Sequence, residues 1–319
     1  MKNLEHAARI AVRDCMGVQK DEEVLIITDS LKRNIGMALF AAAQEMCKEA
    51  YIFEMKPRGL NGQEPPTVVA EMMKQVPVVL CPTSKSLTHT DARREACKAG
   101  SRVGTLPGIT EDMMIRTMSA DYHRIAELTH RITEILDKGK VAHLSTSLGS
   151  DITMPIQGIK AISSTGLITK PGTFGNLPSG ESYLMPQEGL SEGIFIVDGS
   201  MAGIGKIENE PITIKVDKGM ATEISGGKEA DQLQKMIDEV GDRGRNLAEL
   251  GVGTNYMAVI SGAILEDEKV AGTVHLALGN NVSMGGTFNV GFHVDGIITN
   301  PTLRIDDFVL LDRGMLKVE

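Results

Sequence analysis

Two histidines and an aspartate near the C-terminus have the residue types and the spacing of a metal site. His293 and Asp295 are separated by one residue in VGFHVDGII, a β-branched run bounded by Gly291 and Gly296 that predicts a strand. Alternate residues of a strand face the same way, so both side chains point to one face, about 7 Å apart along the chain. His275 lies in GTVHLALG, which predicts a second strand. If the two strands are neighbours, two imidazoles and a carboxylate converge, and these are ligands for a divalent cation.

Three acidic residues could complete such a site. Glu181 follows the loop GNLPSG and precedes a predicted strand. Glu249 is predicted in the last turn of a helix over 228–250, where the helix dipole disfavours an unpaired carboxylate and a nearby cation would remove that penalty. Glu268 ends a run of three acids, which is typical of a solvated turn, yet one of them could act as general base on a metal-bound water. The alternative for each histidine is a core residue with a satisfied hydrogen bond.

The elements that would position these side chains fall into two predicted domains. In residues 1–120, helices alternate with short apolar strands such as EVLIIT and PVVLCP, which predicts a parallel-sheet α/β (Rossmann-like) domain. An amphipathic helix over 121–139 connects it to the rest of the chain. Residues 121–319 carry strands broken by Gly, Pro and Asn, which predict a β-rich catalytic metal-binding domain. The expected fold class is therefore α/β plus α+β.

Composition argues against several classes of function. The net charge is −9 at pH 7 and no basic stripe is present, so neither nucleic acid nor an anionic membrane would be attracted electrostatically. No apolar run is long enough to span a bilayer, and the N-terminal segment is amphipathic, unlike a signal peptide. The four cysteines lack a C-x-x-C pattern, which predicts reduced core thiols. We therefore expect a cytoplasmic protein without nucleic-acid or membrane partners.

Four ordered segments resemble the thermophilic metallo-aminopeptidases typified by aminopeptidases T and S. They are GNLPSGESYLMP, LAELGVGTN, DEKVAGTVHLALG and FHVDGII, and the N-terminal segments GVQKDEEVLIIT and LPGITEDM extend the similarity over nearly the whole chain. The resemblance implies a homodimeric two-domain enzyme that removes N-terminal residues from peptides with two divalent ions, zinc, cobalt or manganese. The ligands that it implies are Glu181, Glu249, His275, His293 and Asp295. It also implies that Glu268 is the catalytic carboxylate, which takes a proton from the metal-activated water.

Two features depart from that family. Its metal-site tyrosine follows the first histidine, in a segment like HLALG-x-x-Y, and Val282 stands at about that place here. The segment between His275 and His293 is also shorter than in the peptidases. A lost ligand and a shortened wall are compatible with one metal ion, or with a different substrate.

Two other functions fit the same residues. A related branch of the superfamily comprises iron(II) ring-opening dioxygenases that act on dihydroxypyridines, and His275, His293 and Asp295 would supply their two histidines and one aspartate around a single Fe(II). In that case Glu181 and Glu249 would be structural. A non-catalytic metal- or small-molecule-binding protein on the same scaffold is the third possibility. The ordered segments favour the metallo-aminopeptidase, with a small peptide or another small molecule as substrate.

Overall fold

The structure, a computed structural model that describes residues 3–318, combines a parallel sheet flanked by helices with antiparallel sheets. The fold class predicted from the sequence is confirmed. The strands are β1 (Glu23–Asp29), β2 (Glu49–Met55), β3 (Val78–Cys81), β4 (Arg102–Thr105), β5 (Val141–Ser145), β6 (Asp151–Pro155), β7 (Ile162–Ser164), β8 (Phe174–Asn176), β9 (Glu181–Leu184), β10 (Glu192–Val197), β11 (Ser200–Met201), β12 (Gly205–Lys206), β13 (Ile212–Asp217), β14 (Met220–Ser225), β15 (Leu247–Gly253), β16 (Val274–Gly279), β17 (His293–Ile298), β18 (Thr302–Ile305), β19 (Phe308–Asp312) and β20 (Met315–Leu316). The α-helices are α1 (Leu4–Ile10), α2 (Arg33–Gln44), α3 (Thr67–Met73), α4 (Asp91–Lys98), α5 (Glu111–Thr117), α6 (Tyr122–Lys138), α7 (Lys228–Val240) and α8 (Ile264–Asp267). Within residues 3–318, no helix is long and apolar enough to cross a membrane.

The chain divides into two compact units. The first contains the residues up to 126 together with 165–179, and the second contains 127–164 and the chain from 180 onward. The sequence placed the boundary at 120 and assigned 165–179 to the second domain. The structure differs because the short strand β8 adds to the parallel sheet of the first unit, where Gly175 pairs with Gly104.

The first unit is built on a five-stranded parallel sheet in the order β2-β1-β3-β4-β8. Two of its inner strands carry continuous apolar runs, VLII in β1 and VVLC in β3, because helices cover both faces of such a sheet. Threonines cap two of the helices. The Thr90 hydroxyl accepts from the backbone N–H of Arg93, and the Thr110 hydroxyl from that of Met113.

An ion pair fixes the start of β4 in this unit. The Arg102 side chain is only 4% exposed and donates from Nη1 to Glu22 Oε1 at 2.7 Å. Its Nε donates to the Met16 carbonyl, also at 2.7 Å. Burial alone would raise the pKa of Glu22, but the hydrogen bonds from Arg102 and from the Gln19 backbone hold it below its usual value. Removing either partner would leave the other charge partly buried and unpaired.

The second unit contains two antiparallel sheets around one apolar core. Their strand orders are β14-β13-β10-β6-β5-β18-β19-β20 and β12-β11-β17-β16-β15-β9-β7. Side chains from both sheets build the core, among them Phe195 and Ile214 from the first and Leu250 and Leu276 from the second. Because side chains alternate along a strand, the residues next to Leu250 and Leu276 point to the opposite face of the second sheet. That face carries the polar residues singled out in the sequence.

Candidate metal centre

Four adjacent strands of the second sheet, β9, β15, β16 and β17, present their polar side chains on one face. Glu249, Ala277 and Asp295 form one row across the sheet, and His275 pairs with Gly251 in the next row. Residues two apart on a strand share a face, so the two rows lie side by side. The face brings together all five ligands that the sequence suggested, which are Glu181, Glu249, His275, His293 and Asp295.

Glu249 lies in strand β15, and the prediction that it sits in the last turn of a helix is wrong. Helix α7 ends at Val240, because Gly241 adopts a φ of 79°, a conformation that favours glycine. A 3-10 turn over Asp242–Arg245 leads into β15, and the helix dipole therefore does not act on Glu249. A register shift between Leu247 and Glu249 marks a β-bulge, a feature that re-aims a side chain.

The two imidazoles converge on one carboxylate. Nε2 of His275 lies 3.4 Å from Oε1 of Glu249, and Nε2 of His293 lies 3.4 Å from Oε2 of the same residue. Asp295 Oδ1 is a further 3.4 Å from His293 Nε2. Glu249, His293 and Asp295 each offer a ligand atom, and these three atoms all lie within 4.8 Å of one another. Nitrogen and carboxylate oxygen donors in this arrangement suit a divalent transition metal.

Nε2 of both imidazoles faces the centre, and a hydrogen bond at Nδ1 orients the His293 ring. Nδ1 of His293 lies 2.7 Å from the carbonyl oxygen of Asn280, so Nδ1 carries a proton and donates it. The His275 ring is fully buried, and its Nδ1 has no hydrogen-bond partner in the part of the chain that the structure describes. Its Nε2 faces Glu249 and also Glu181, whose Oε2 is 3.4 Å away. Both imidazoles therefore meet the carboxylates through the same nitrogen.

The carboxylates create a field that favours positive charge. Burial by itself would lower the pKa of His275, but Glu249 and Glu181 raise it to about 9. Burial acts in the same way on His293, yet Asp295 and Glu249 hold its pKa well above the usual value. Conversely, the pKa of Asp295 falls to about 2 despite burial, because His293 faces it. A cation bound at this point would meet the same attraction.

Small residues form the floor under the imidazole of His275. A Cβ added to Gly251 would lie 1.9 Å from Nε2 of His275 and 2.2 Å from its Cε1, so the ring passes directly over the glycine. Ala277 separates Glu249 from Asp295 in the neighbouring row. The site therefore depends on residues that lack bulk as well as on residues that carry donors.

Lys269 lies beside these carboxylates and was not singled out in the sequence. Its ammonium lies 2.5 Å from Oε1 of Glu181 and also contacts the Glu268 carboxylate, while the side chain is only 1% exposed. Burial would lower the pKa of Lys269, but the two carboxylates raise it above its usual value. In the sequence this lysine belongs to the charged run EDEK, which looks like a solvated turn.

Two acids of that run, Glu266 and Asp267, are fully buried, and the side chain of Glu268 is 15% exposed. Asp267 accepts hydrogen bonds from the backbone N–H groups of Ser261 at 2.7 Å and Gly262 at 2.8 Å, and so fixes the loop before α8. Glu266 accepts from the backbone N–H of Val259 at 3.0 Å. Glu268 has a different role, since it faces Lys269, and burial raises its pKa to about 8. The expectation of a solvated turn is therefore wrong for all three.

The position compared with the peptidase tyrosine does not reach the centre. Val282 is 46% exposed in a 3-10 turn over Val282–Met284. A tyrosine is present instead in β9. Tyr183 pairs with Gly251 across one edge of β15, and His275 of β16 pairs with the same glycine across the other edge. Burial, with Glu181 and Glu249 nearby, raises the pKa of this phenol. The sequence carries this tyrosine in GESYLMP, but only the strand order shows that it shares a row with His275.

Comparison with known proteins separates the functions that these residues allow. The profile of the NicX family, described as 2,5-dihydroxypyridine 5,6-dioxygenase, matches residues 6–318. The chain belongs to this dioxygenase family. A 2,5-dihydroxypyridine 5,6-dioxygenase of Pseudomonas putida is 24% identical over 245 residues, which cover 72% of this chain and 68% of the relative.

Solved structures of this family and of an aminopeptidase share the fold. The 2,5-dihydroxypyridine dioxygenase from Pseudomonas putida superposes with a TM-score of 0.84 at 18% identity, over 99% of this chain and 97% of that one. AmpT from Thermus thermophilus superposes with a TM-score of 0.73 at 17% identity, over 99% of both chains. At such identities the likeness shows the fold alone.

The prediction of a metallo-aminopeptidase, and with it that of a hydrolase or protease, is wrong. The family match and the curated relative both name a dioxygenase, whereas the aminopeptidase shares the fold. The misleading segments are those that build β9, β15, β16 and β17, so they indicate a shared fold rather than a shared reaction. The departure at Val282 was the signal in the sequence that pointed away from the peptidases.

Proposed function

We propose that this protein is a mononuclear iron(II) dioxygenase that opens the ring of a dihydroxypyridine. The single observation that carries the proposal is the convergence of two imidazole Nε2 atoms and Asp295 on one face of the sheet, in a chain of the dioxygenase family. Two histidines and one carboxylate with open positions are the ligand set of non-haem iron(II) oxygenases. The description of the family, 2,5-dihydroxypyridine 5,6-dioxygenase, supports cleavage between ring atoms 5 and 6.

In this proposal His275, His293 and Asp295 hold the iron, and Glu249 lies beside it in contact with both imidazoles. Two ligand atoms on one ion, each about 2.1 Å from it, are at most about 4.2 Å apart. The Glu249, His293 and Asp295 donors lie within 4.8 Å of one another, and Nε2 of His275 lies 3.4 Å from the Glu249 carboxylate, so side-chain shifts would bring His275, His293 and Asp295 onto one ion. The donor set therefore fits one divalent ion.

The residues of the chain supply orientation and proton transfer. Bound iron(II) would supply the electron transfer that lets dioxygen react with an electron-rich ring. The Asn280 carbonyl keeps the proton of His293 on Nδ1, which leaves Nε2 available as a ligand. Glu268, whose burial raises its pKa to about 8, holds or releases a proton at its carboxyl near neutral pH and would accept one from a ring hydroxyl.

The test is oxygen uptake by protein reconstituted anaerobically with Fe(II) and then mixed with 2,5-dihydroxypyridine. The 5,6 bond should break and each of its two carbons should take one oxygen atom, so that with isotopically labelled dioxygen both labels appear in the product by mass spectrometry. No oxygen uptake by protein that has taken up iron would reject the proposal.

Metal content of matched variants tests the ligand assignment independently of turnover. We expect His275→Gln, His293→Gln and Asp295→Asn to lose iron, and Glu249→Gln to retain it. Loss of iron from Glu249→Gln together with retention in His275→Gln would assign the third ligand position to Glu249. His143→Gln is the control, because His143 is a half-exposed histidine paired with Asp151 on the other sheet of the same unit.

A further inference from the structure

Lys269 places a cation beside Glu181 and Glu268, two carboxylates that do not ligate the proposed iron. Its Nζ lies 2.5 Å from Glu181 Oε1 and contacts Glu268, in surroundings that leave 1% of the side chain exposed. The other Glu181 oxygen lies 3.4 Å from Nε2 of His275, one of the proposed iron ligands. The carboxylate of Glu181 therefore lies between the Lys269 ammonium and the proposed iron ligand His275.

The charged residues on this face of the sheet indicate the role of the Lys269 ammonium. Glu181, Glu249, Glu268 and Asp295 bring four carboxylates to one largely buried region. One divalent ion beside Asp295 and Glu249 would leave Glu181, and Glu268 in its ionised form, without a counter-charge, and buried carboxylates require one. Lys269 supplies it through two charge-assisted hydrogen bonds.

We propose that the ammonium of Lys269 takes the place of a second metal ion and limits this centre to one. The inference rests on the proposed metal centre and deepens it, because it explains why a face with four carboxylates and two imidazoles would hold a single cation. Glu181 and Glu268 could otherwise ligate a second ion on the Glu181 side of His275. With the ammonium bound to both, neither carboxylate is free to do so.

Titration with Mn²⁺ measures the number of ions directly and needs no turnover. We expect the native chain to bind one Mn²⁺ per chain by isothermal titration calorimetry and by elemental analysis after gel filtration. Lys269→Met should bind two, the second more weakly, with the magnetic coupling between paired Mn²⁺ ions visible in electron paramagnetic resonance. Lys269→Met/Glu181→Gln should return to one ion, and Lys269→Arg, which keeps the charge, should stay at one. Lys160→Met is the matched control, since Lys160 is 82% exposed and should leave the count at one.

Two results with the native chain and Lys269→Met would overturn the inference. One is binding of two Mn²⁺ ions by the native chain, and the other is a folded Lys269→Met that binds a single ion at saturation. If Lys269→Met does not fold, Glu181→Gln provides the test: it should bind one ion with an affinity within threefold of the native value. Loss of that ion would make Glu181 a ligand and reject the role given to Lys269. If the native chain binds one ion and Lys269→Met binds two, but the iron-loaded native protein takes up no oxygen, the dioxygenase is rejected and the inference about Lys269 stands.

Discussion

Replacing Gly251 by alanine should disable the metal centre while leaving the protein folded. Gly251 lies in β15 beneath the imidazole of His275, and an added Cβ would lie 1.9 Å from Nε2, 2.2 Å from Cε1 and 2.7 Å from Cδ2. Ordinary contact begins near 3.4 Å, so the ring must move by about 1.5 Å. The ring is fully buried and has little free space in which to move.

Gly251→Ala should have a small effect on the free energy of unfolding and a large effect on metal affinity. Overpacking a core site costs about 1–3 kcal/mol, and replacing a strand glycine by alanine regains about 0.5–1 kcal/mol of backbone entropy. The net loss of unfolding free energy is then at most about 2.5 kcal/mol, which a domain of ordinary stability tolerates. A ligand displaced by about 1.5 Å no longer fits the ion, because even the loss of an outer-shell partner lowers metal affinity about 10–100-fold.

The assay combines calorimetric titration of Mn²⁺ with thermal unfolding. We expect Gly251→Ala to remain folded and to bind Mn²⁺ at least about tenfold more weakly. Gly291→Ala is the matched control, since a Cβ there meets no atom within 4 Å and the residue lies two positions before His293. Native affinity in a folded Gly251→Ala would refute the reasoning, because it would mean that His275 does not ligate the metal or that the ring moves without consequence.

Three further predictions concern stability. Arg102→Met should lower the unfolding free energy by about 3 kcal/mol, because it leaves Glu22 partly buried and unpaired. The pKa of Glu22 is lower in the folded state than the unfolded value of about 4.3, so its stabilisation is present above that pH and is lost as the pH falls through the folded pKa. Urea unfolding from pH 6 to pH 3 should therefore show a steeper loss in the native chain than in Glu22→Gln, and parallel curves would contradict this. Asp267→Ala should lower the free energy of unfolding by about 2–3 kcal/mol, because the N–H groups of Ser261 and Gly262 lose a charged acceptor. An unchanged midpoint of urea unfolding would contradict this and show that water replaces the carboxylate.

Periodicity in the sequence was enough to predict the local features of the site. The alternation in VGFHVDGII predicts a strand with His293 and Asp295 on one face, and β17 has that form. The N-terminal alternation of helices with short apolar strands predicts the parallel sheet of the first unit. Both depend on the burial of neighbouring residues, which is local information.

The features that the sequence did not reveal depend on contacts between distant segments. Glu249 was assigned to a helix because the pattern of α7 continues past Gly241, and its strand becomes evident only from its pairing with β9 and β16. Lys269 looks like a solvated lysine until β9 brings Glu181 to within 2.5 Å of it. Strand β8 is three residues long in a glycine-rich loop, too short to show a period.

The acceptor that holds His293 belongs to the main chain, and this affects how the enzyme can diverge. The Asn280 carbonyl meets Nδ1 at 2.7 Å at the base of the β16–β17 hairpin, and no side-chain substitution at that position removes it. Exposed positions of the loop beyond this base, such as Val282, can therefore change while the imidazole keeps its tautomer. In this hairpin, the acceptor that sets the His293 tautomer is therefore independent of the side chains that the loop carries.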